Sequence, residues 1–289
     1  MKIKKKWYVL FVLPILIPFI FTVILPFFQG IAFSFVEWNG LAKVEKIFVG
    51  FQNYIDVFKD SRFITSLGRT SVFTLITVVL VNVIALAFAT WVTSEIKFRN
   101  TGRAMLFMPY LIGGLILGYV WKYVLGQGMT LIAANTGNNT LFFNWLSDPK
   151  FAFIAMIVVA TWQMSGYMMV IYIAGLEAIS GDVLEAAKMD GASAWKEFIH
   201  IKLPLLMPSI TICLFLTLSN CFKIYDVNVS LTGGGPANAT EMISLNIYNE
   251  IFVQSNFGLG QAKAIIFFFI VAFITFLQVR MTSKKEVEI

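Results

Sequence analysis

Long apolar stretches separated by short polar ones dominate this chain of 289 residues. Roughly twenty mainly apolar residues in a helix cross the hydrocarbon of a bilayer. Six blocks meet that length, at about residues 8–34, 68–93, 104–125, 151–175, 205–227 and 261–281. The pattern predicts an all-α, polytopic membrane protein with one membrane domain over residues 1–289. Pro14, Pro18 and Pro26 predict kinks in the first block, which neighbouring helices can accommodate. That block follows Lys2, Lys4, Lys5 and Lys6, as a secretion signal would, but its apolar run is too long and no small-residue cleavage site follows, so it is expected to be retained.

The longest polar interruption runs from Asp182 to Pro208. Asp182 and Glu185, three residues apart, can accept from the free N–H groups of a first helical turn and start a short helix. Leu184, Ala186 and Ala187 give that helix a small apolar surface. Asp190-Gly191 supplies a glycine for a left-handed exit, and Ser193 can cap a second helix. There Trp195, Phe198, Ile199 and Lys202 fall at i, i+3, i+4 and i+7, on one face, until Pro204 ends the pattern.

Composition narrows the class. With 58% hydrophobic and 13% charged residues, no soluble domain could keep its apolar surface from water. Cys213 and Cys221 share one apolar stretch, which points to packing and away from a disulfide or a metal site. The formal charge of +6 sits in short basic segments flanking apolar runs, so membrane lipid, and no nucleic acid, is the expected partner. Thirteen Lys and Arg lie in the N-terminus, the 95–103 loop (Lys97, Arg99, Arg103), the 180–204 loop and the tail from Arg280 through Lys285. Five lie on the other side, at Lys43, Lys46, Lys59, Arg62 and Lys150, the first four interleaved with Glu37, Glu45, Asp56 and Asp60. The bias places both termini and the 180–204 loop in the cytoplasm.

Three external segments remain. Residues 36–63 mix charges with aromatics and predict small amphipathic helices on the membrane face. Residues 126–150 carry the turn-rich run Asn135 to Asn139. The third holds Gly233-Gly234-Gly235-Pro236, which lacks the lysine and Ser/Thr of a phosphate-binding loop, so nucleotide binding is not expected there.

Polar groups at mid-helix are costly in hydrocarbon unless paired or turned to a cavity. In the fourth block Gln163 and Tyr167 lie one turn apart beside Trp162; in the fifth Thr217, Asn220 and Ile224 share a face with Cys221 at its edge. Amides, hydroxyls and aromatic faces in this mixture suit a sugar. The same groups could instead bond helix to helix, the role expected for Asn82. Lys223 and Asp226, near the external end of the fifth block, are expected to pair or reach water. His200 has no candidate metal ligands nearby in sequence and is expected at a surface contact.

Glu185-Ala186-Ala187, Asp190-Gly191-Ala192, Phe198, Ile201, Leu203-Pro204 and Pro208 together resemble the EAA motif of permease subunits of ATP-driven, binding-protein-dependent importers, in its carbohydrate-importer form. The glycine run before Pro236, Arg103 with Pro109 and Trp121, and Trp162 through Ala174-Gly175-Leu176 are similar to further signatures of that family. Ser180 stands where many relatives have proline. The resemblance implies a type I ABC importer fold in a bacterial cytoplasmic membrane, in which Glu185, Ala186, Ala187, Asp190, Gly191 and Ala192 form a coupling helix held by a cytoplasmic ATPase. It implies a second, homologous permease, two ATPase copies that bind ATP and Mg, an extracellular solute-binding protein, and a sugar, glycerol-phosphate or polyol as cargo. This chain is expected to hold no cofactor and no metal, and to do no chemistry of its own. An ion-coupled transporter would want a buried acid or a broken helix, and apart from Asp226 at the external end of the fifth block the central blocks hold no Asp or Glu. A membrane enzyme would want paired carboxylates, a Ser/His pair or a metal cluster.

Overall fold

A computed structural model describes residues 5–94, 98–138 and 142–284, the side chains of residues 5–10 excepted. Lys2, Lys4, Lys97, Asn139 and Lys285, used above, lie outside the described residues. Among the described residues, five helices are long and apolar enough to cross a membrane: Phe11–Phe33, Ser61–Thr93, Gly114–Thr136, Pro149–Glu177 and Phe257–Ser283. A sixth span arises if Ala194–Leu205 and Met207–Phe222, bent by 69° at their junction, are taken as one. The expected all-α membrane architecture is what the chain adopts.

In chain order the helices begin with α1 (Lys5–Phe19) and α2 (Leu25–Phe33), joined by a π-helical turn over Ile20–Ile24. Pro18 offers no N–H to the ladder, and the turn after it widens. Thr22 Oγ1 donates to the Pro18 carbonyl at 2.7 Å. A two-residue antiparallel pair, β1 (Val36–Glu37) with β2 (Ile47–Phe48), precedes α3 (Gln52–Lys59) and α4 (Ser61–Thr93). The 36–63 segment thus forms one short helix and a strand pair where several small helices were expected.

The third apolar block departs most from expectation. Instead of one helix over 104–125 there are α5 (Arg99–Leu111) and α6 (Gly114–Tyr123), and the latter continues through a π turn into α7 (Met129–Thr136). Pro109 lacks the N–H that would hold the last turn of α5, and Ile112 and Gly113 are extended, with ψ of 124° and 138°. The apolar span therefore starts at Gly114 and takes in residues 126–136, which were expected to be external loop. Helix α8 (Pro149–Glu177) follows, with Asp148 Oδ1 accepting from the N–H groups of Lys150 and Phe151. After it come α9 (Gly181–Met189), α10 (Ala194–Glu197), α11 (Leu203–Leu205), α12 (Met207–Phe222), α13 (Ile243–Tyr248) and α14 (Phe257–Ser283).

The chain groups into two compact units, Met1–Ile64 with Asn246–Phe269, and Thr65–Leu245 with Ile270–Ile289. In the first, Phe27 packs on Phe268 with ring centroids 5.1 Å apart, and Trp38 on Phe257 at 4.9 Å. Gly258 lies against the Val36 carbonyl, a contact no side chain there would permit. Lys263, fully buried, pairs with Asp60 at 2.6 Å and Glu250 at 2.5 Å, so the charge is compensated within the unit. In the second unit the core gathers Phe73, Val81, Leu117, Met156, Met168, Met169, Tyr172 and Leu231. Glycines bring its helices close: Gly166 abuts the backbone of Leu106 and Phe107, and Gly114 and Gly118 admit Asp226 and Ser230.

Candidate functional site

Two features of the second unit carry the expected chemistry. The first is the elbow that follows α8. Helix α9 starts after Ser180, whose side chain makes no capping bond. Asp182 was expected to cap; it instead sits inside the first turn, where the helix dipole favours its charge, because Gly181 already adopts helical geometry. The helix leaves through Gly191 at φ +76°, with the N–H of Gly191 bonding to Lys188 O and that of Ala192 to Ala187 O at 3.1 and 3.0 Å. No atom lies within 4 Å of where a Cβ would sit, so the left-handed backbone alone asks for glycine.

Ser193 Oγ then accepts from the Lys196 N–H at 3.5 Å to begin α10. A π turn over Phe198–Lys202 follows and shifts the expected i+7 register. Lys202 pairs with the buried carboxylate of Glu197 at 2.8 Å, while Trp195 stacks on Phe198. Pro204 does not end the pattern, because it stands in the first turn of α11, where a missing N–H is tolerated; the bend falls at buried Leu206. Gly175 lets α8 touch Leu206 and Ser209, and Arg103 pairs with Glu177 at 2.6 Å, closing the base of the elbow. Glu185, Ala186, Asp190 and Gly191 are exposed, Ala192 is half-buried and Ala187 is buried. Met189 is 88% and Trp195 70% exposed, large apolar surface that this chain leaves uncovered.

The second feature is a cavity of about 280 Å³ among α5, α6, α8 and the end of α12. Gln163, Asn220 and Ile224 line it with Tyr110, Met164, Lys223 and Asp226. The break after α5 frees the Ile112 carbonyl, and Gln163 Nε2 donates to it at 3.2 Å, fixing the amide. The Tyr110 and Tyr167 rings stack 4.4 Å apart and 7° from parallel, so Tyr167 backs the wall that Tyr110 presents. Lys223 and Asp226 make no ion pair among the described residues, and both line the cavity.

A family model described as "Binding-protein-dependent transport system inner membrane component" matches residues 99–286, which include both features. The chain belongs to that family. This permease is 43% identical over 98% of its length to 96% of the "Probable starch degradation products transport system permease protein AmyD" of Thermoanaerobacterium thermosulfurigenes. It is 32% identical over 99% of its length to 98% of the "Multiple sugar-binding transport system permease protein MsmF" of Streptococcus mutans. Its fold matches a crystal structure of a bacterial ABC transporter involved in the import of the acidic polysaccharide alginate, with a TM-score of 0.81, 18% identity, and 97% and 96% of the two chains covered.

Not every residue singled out in the sequence reaches the permease cavity. Thr217 and Cys221 are 0% and 1% exposed and do not line it. Thr217 donates to Cys213 O at 2.5 Å and accepts from Asn82 at 3.4 Å; Tyr172 in turn donates to Asn82 Oδ1 at 2.7 Å. Although only three residues apart on α12, Thr217 is turned to Asn82 of α4 and Asn220 to the cavity. Asn82 sits in the interhelical role expected of it. His200 Nδ1 lies 3.2 Å from Lys196 O on an exposed surface. Among the described residues, no group of three metal-ligating side chains occurs. Tyr110, Met164, Lys223 and Asp226 are the residues that the sequence pattern did not bring to the cavity; the Pro109 to Gly114 run was the available signal, since a broken helix beside polar side chains marks a solvated cleft.

Proposed function

We propose that this permease forms half of the pathway of an ATP-driven importer and carries a sugar or oligosaccharide, its elbow from Glu185 to Ala192 held by a cytoplasmic ATPase. A second, homologous permease completes the pore, two ATPase subunits bind ATP and Mg and do the hydrolysis, and an extracellular binding protein delivers the cargo. Both termini and the elbow face the cytoplasm, as the basic-residue bias supports.

One observation carries this reading: a single uninterrupted helix, α12, runs from the elbow bend to the cavity wall. The thirteen helical rises from Met207 to Asn220 span about 20 Å. When nucleotide closes the two ATPases, a displacement of the elbow tilts α12 as a lever and changes how Asn220 and Ile224 close the cavity. Such coupling requires that the ATPase contact the elbow differently in the two states. Exposed Met189 and Trp195 are suited to that contact.

The cavity chemistry supports a polyhydroxyl cargo. Asn220 and the Gln163 Oε1 have no protein partner among the described residues and can exchange hydrogen bonds with hydroxyls, while Tyr110 offers a ring face. Lys223 and Asp226 add one charge of each sign. An anion such as glycerol-phosphate would gain the lysine and meet the carboxylate, so a neutral sugar fits better. The names of AmyD and MsmF agree with that choice. The test is uptake by the reconstituted importer across a panel of mono- and oligosaccharides and glycerol-phosphate. Sugar uptake that requires ATP and the binding protein is expected; uptake driven by an ion gradient without ATPase would overturn the proposal.

A further inference from the structure

The first unit holds a larger cavity, of about 500 Å³, that the transport pathway above does not use. Its walls are the strand pair, one face of α3 and the start of α14, and they include Glu37, Glu45, Asp56, Trp38, Asn53 and Asn256. The three carboxylates make no ion pair among the described residues. The nearest cation in sequence, Lys46, is drawn onto aromatic faces, its Nζ 4.6 Å from the Phe33 ring centre and 4.5 Å from that of Trp38. Among the described residues, the Asp56 carboxylate accepts from Gln52 Nε2 alone, at 2.9 Å.

A second observation points the same way. Asn53 is 8% exposed and its amide is clamped, with Nδ2 donating to Ser34 O at 2.9 Å and to Val36 O at 3.0 Å. Both donor hydrogens are thereby used, and Oδ1 of this cavity-lining side chain has no hydrogen-bond partner among the described residues. That oxygen is open to the cavity and can accept from a donor that enters it. The cavity therefore offers several acceptors and an uncompensated negative charge, which is the complement of a guanidinium or ammonium group. Its wall also carries exposed apolar side chains: Ile47 is 58% and Val44 42% exposed. An apolar rim about a pocket for one charged anchor is the anatomy of a protein interface.

We propose that the cavity walled by Glu37, Glu45, Asp56 and Asn53 receives a lysine or arginine side chain of the extracellular binding protein when that protein docks. This rests on the importer reading above, with residues 36–59 outside the cell. Docking then depends on ionic strength through this pocket, and the cation supplies the donor that Asn53 Oδ1 lacks.

The test uses the complete importer in lipid nanodiscs, titrated with sugar-loaded binding protein while ATPase rate is read, at low and high salt. In the Glu37→Gln, Glu45→Gln, Asp56→Asn triple variant, the binding-protein concentration for half-maximal stimulation should rise by about tenfold at low salt, and its salt dependence should flatten, as for loss of interface charge. Basal and maximal rates should stay as in the parent. The single variant Glu45→Lys, at an exposed position, should show a similar shift without risk to folding. Unchanged half-maximal concentration and salt dependence in both variants would overturn the inference. If the unsubstituted importer itself shows no stimulation by any binding protein, the importer reading fails instead, so the two failures are distinct.

Discussion

The elbow and the cavity of the permease are both polar interruptions of an apolar protein, yet they treat polarity in opposite ways. In the elbow the backbone closes on itself through Gly191 and Ser193, while Glu185, Met189, Asp190 and Trp195 are left facing outward. In the cavity the side chains turn inward, and neighbouring helices hold them: Gln163 is fixed by the Ile112 carbonyl and Tyr110 by the Tyr167 ring. The difference teaches which surface needs a second protein. The exposed, self-capped elbow leaves large apolar side chains uncovered by this chain, whereas the cavity is formed within it.

The strongest way to break this contrast is at the elbow. Glu185→Lys or Gly191→Asp should reduce uptake roughly 5- to 150-fold, the range of ordinary coupling energies, while the subunit still inserts and assembles. Gly191→Asp also places a side chain at φ +76°, at about 1–2 kcal/mol of local strain. Vesicle uptake, scored beside ATPase co-purification, separates coupling from assembly; normal uptake in both variants would remove the elbow from the mechanism.

A smaller effect is expected inside. Asn220→Leu and Tyr167→Ala should each lower sugar uptake about tenfold, the loss of roughly 1.4 kcal/mol of hydrogen bonding or ring support, with ATPase assembly intact. The control is Tyr172→Phe, which removes the hydroxyl bonded to Asn82 and leaves the cavity wall alone. It should cost about 1 kcal/mol of thermal stability in detergent and little uptake. If Tyr172→Phe stopped transport and Asn220→Leu did not, the buried network and the cavity would have exchanged roles.

The smallest effect concerns pH. Burial opposes the charge on Asp60, but the hydrogen bond and charge of Lys263, with N–H groups from Phe63 and Arg62, outweigh it and hold the carboxyl below its ordinary value of 3.8. The stability this charge contributes is therefore complete above that value and is lost as pH falls through the lower folded value. Asp60→Asn should narrow the difference in unfolding temperature between neutral and strongly acidic solution. An identical acid profile in the variant would show that the pair adds nothing.

Much of this was legible in the sequence because its signals are local. Five of the six apolar blocks and the Gly191 and Ser193 turns follow from hydropathy, a glycine and a serine read within a few residues. The third block was misplaced because hydropathy runs evenly through Ile112 and Gly113, where Pro109 and a pair of glycines break the helix. Thr217 and Asn220 looked alike in sequence, both polar and one turn apart on α12. What separates them is which neighbour each meets, Asn82 of α4 or the cavity beside α8, and that depends on packing between segments far apart in sequence, 135 residues for Thr217 and Asn82. The π turn at Phe198–Lys202 shows the same limit, since it alters the register that a regular 3.6-residue period assumes.

The central claim is most directly tested by labelling a single cysteine at the elbow. Cys213 and Cys221 are buried and give a quiet background. With Ala186→Cys, a membrane-impermeant thiol reagent should react in inside-out vesicles and not in right-side-out ones, and the ATPase subunit should protect the site to a degree that changes with ATP. Labelling from outside the cell, or a rate indifferent to the ATPase, would contradict the account.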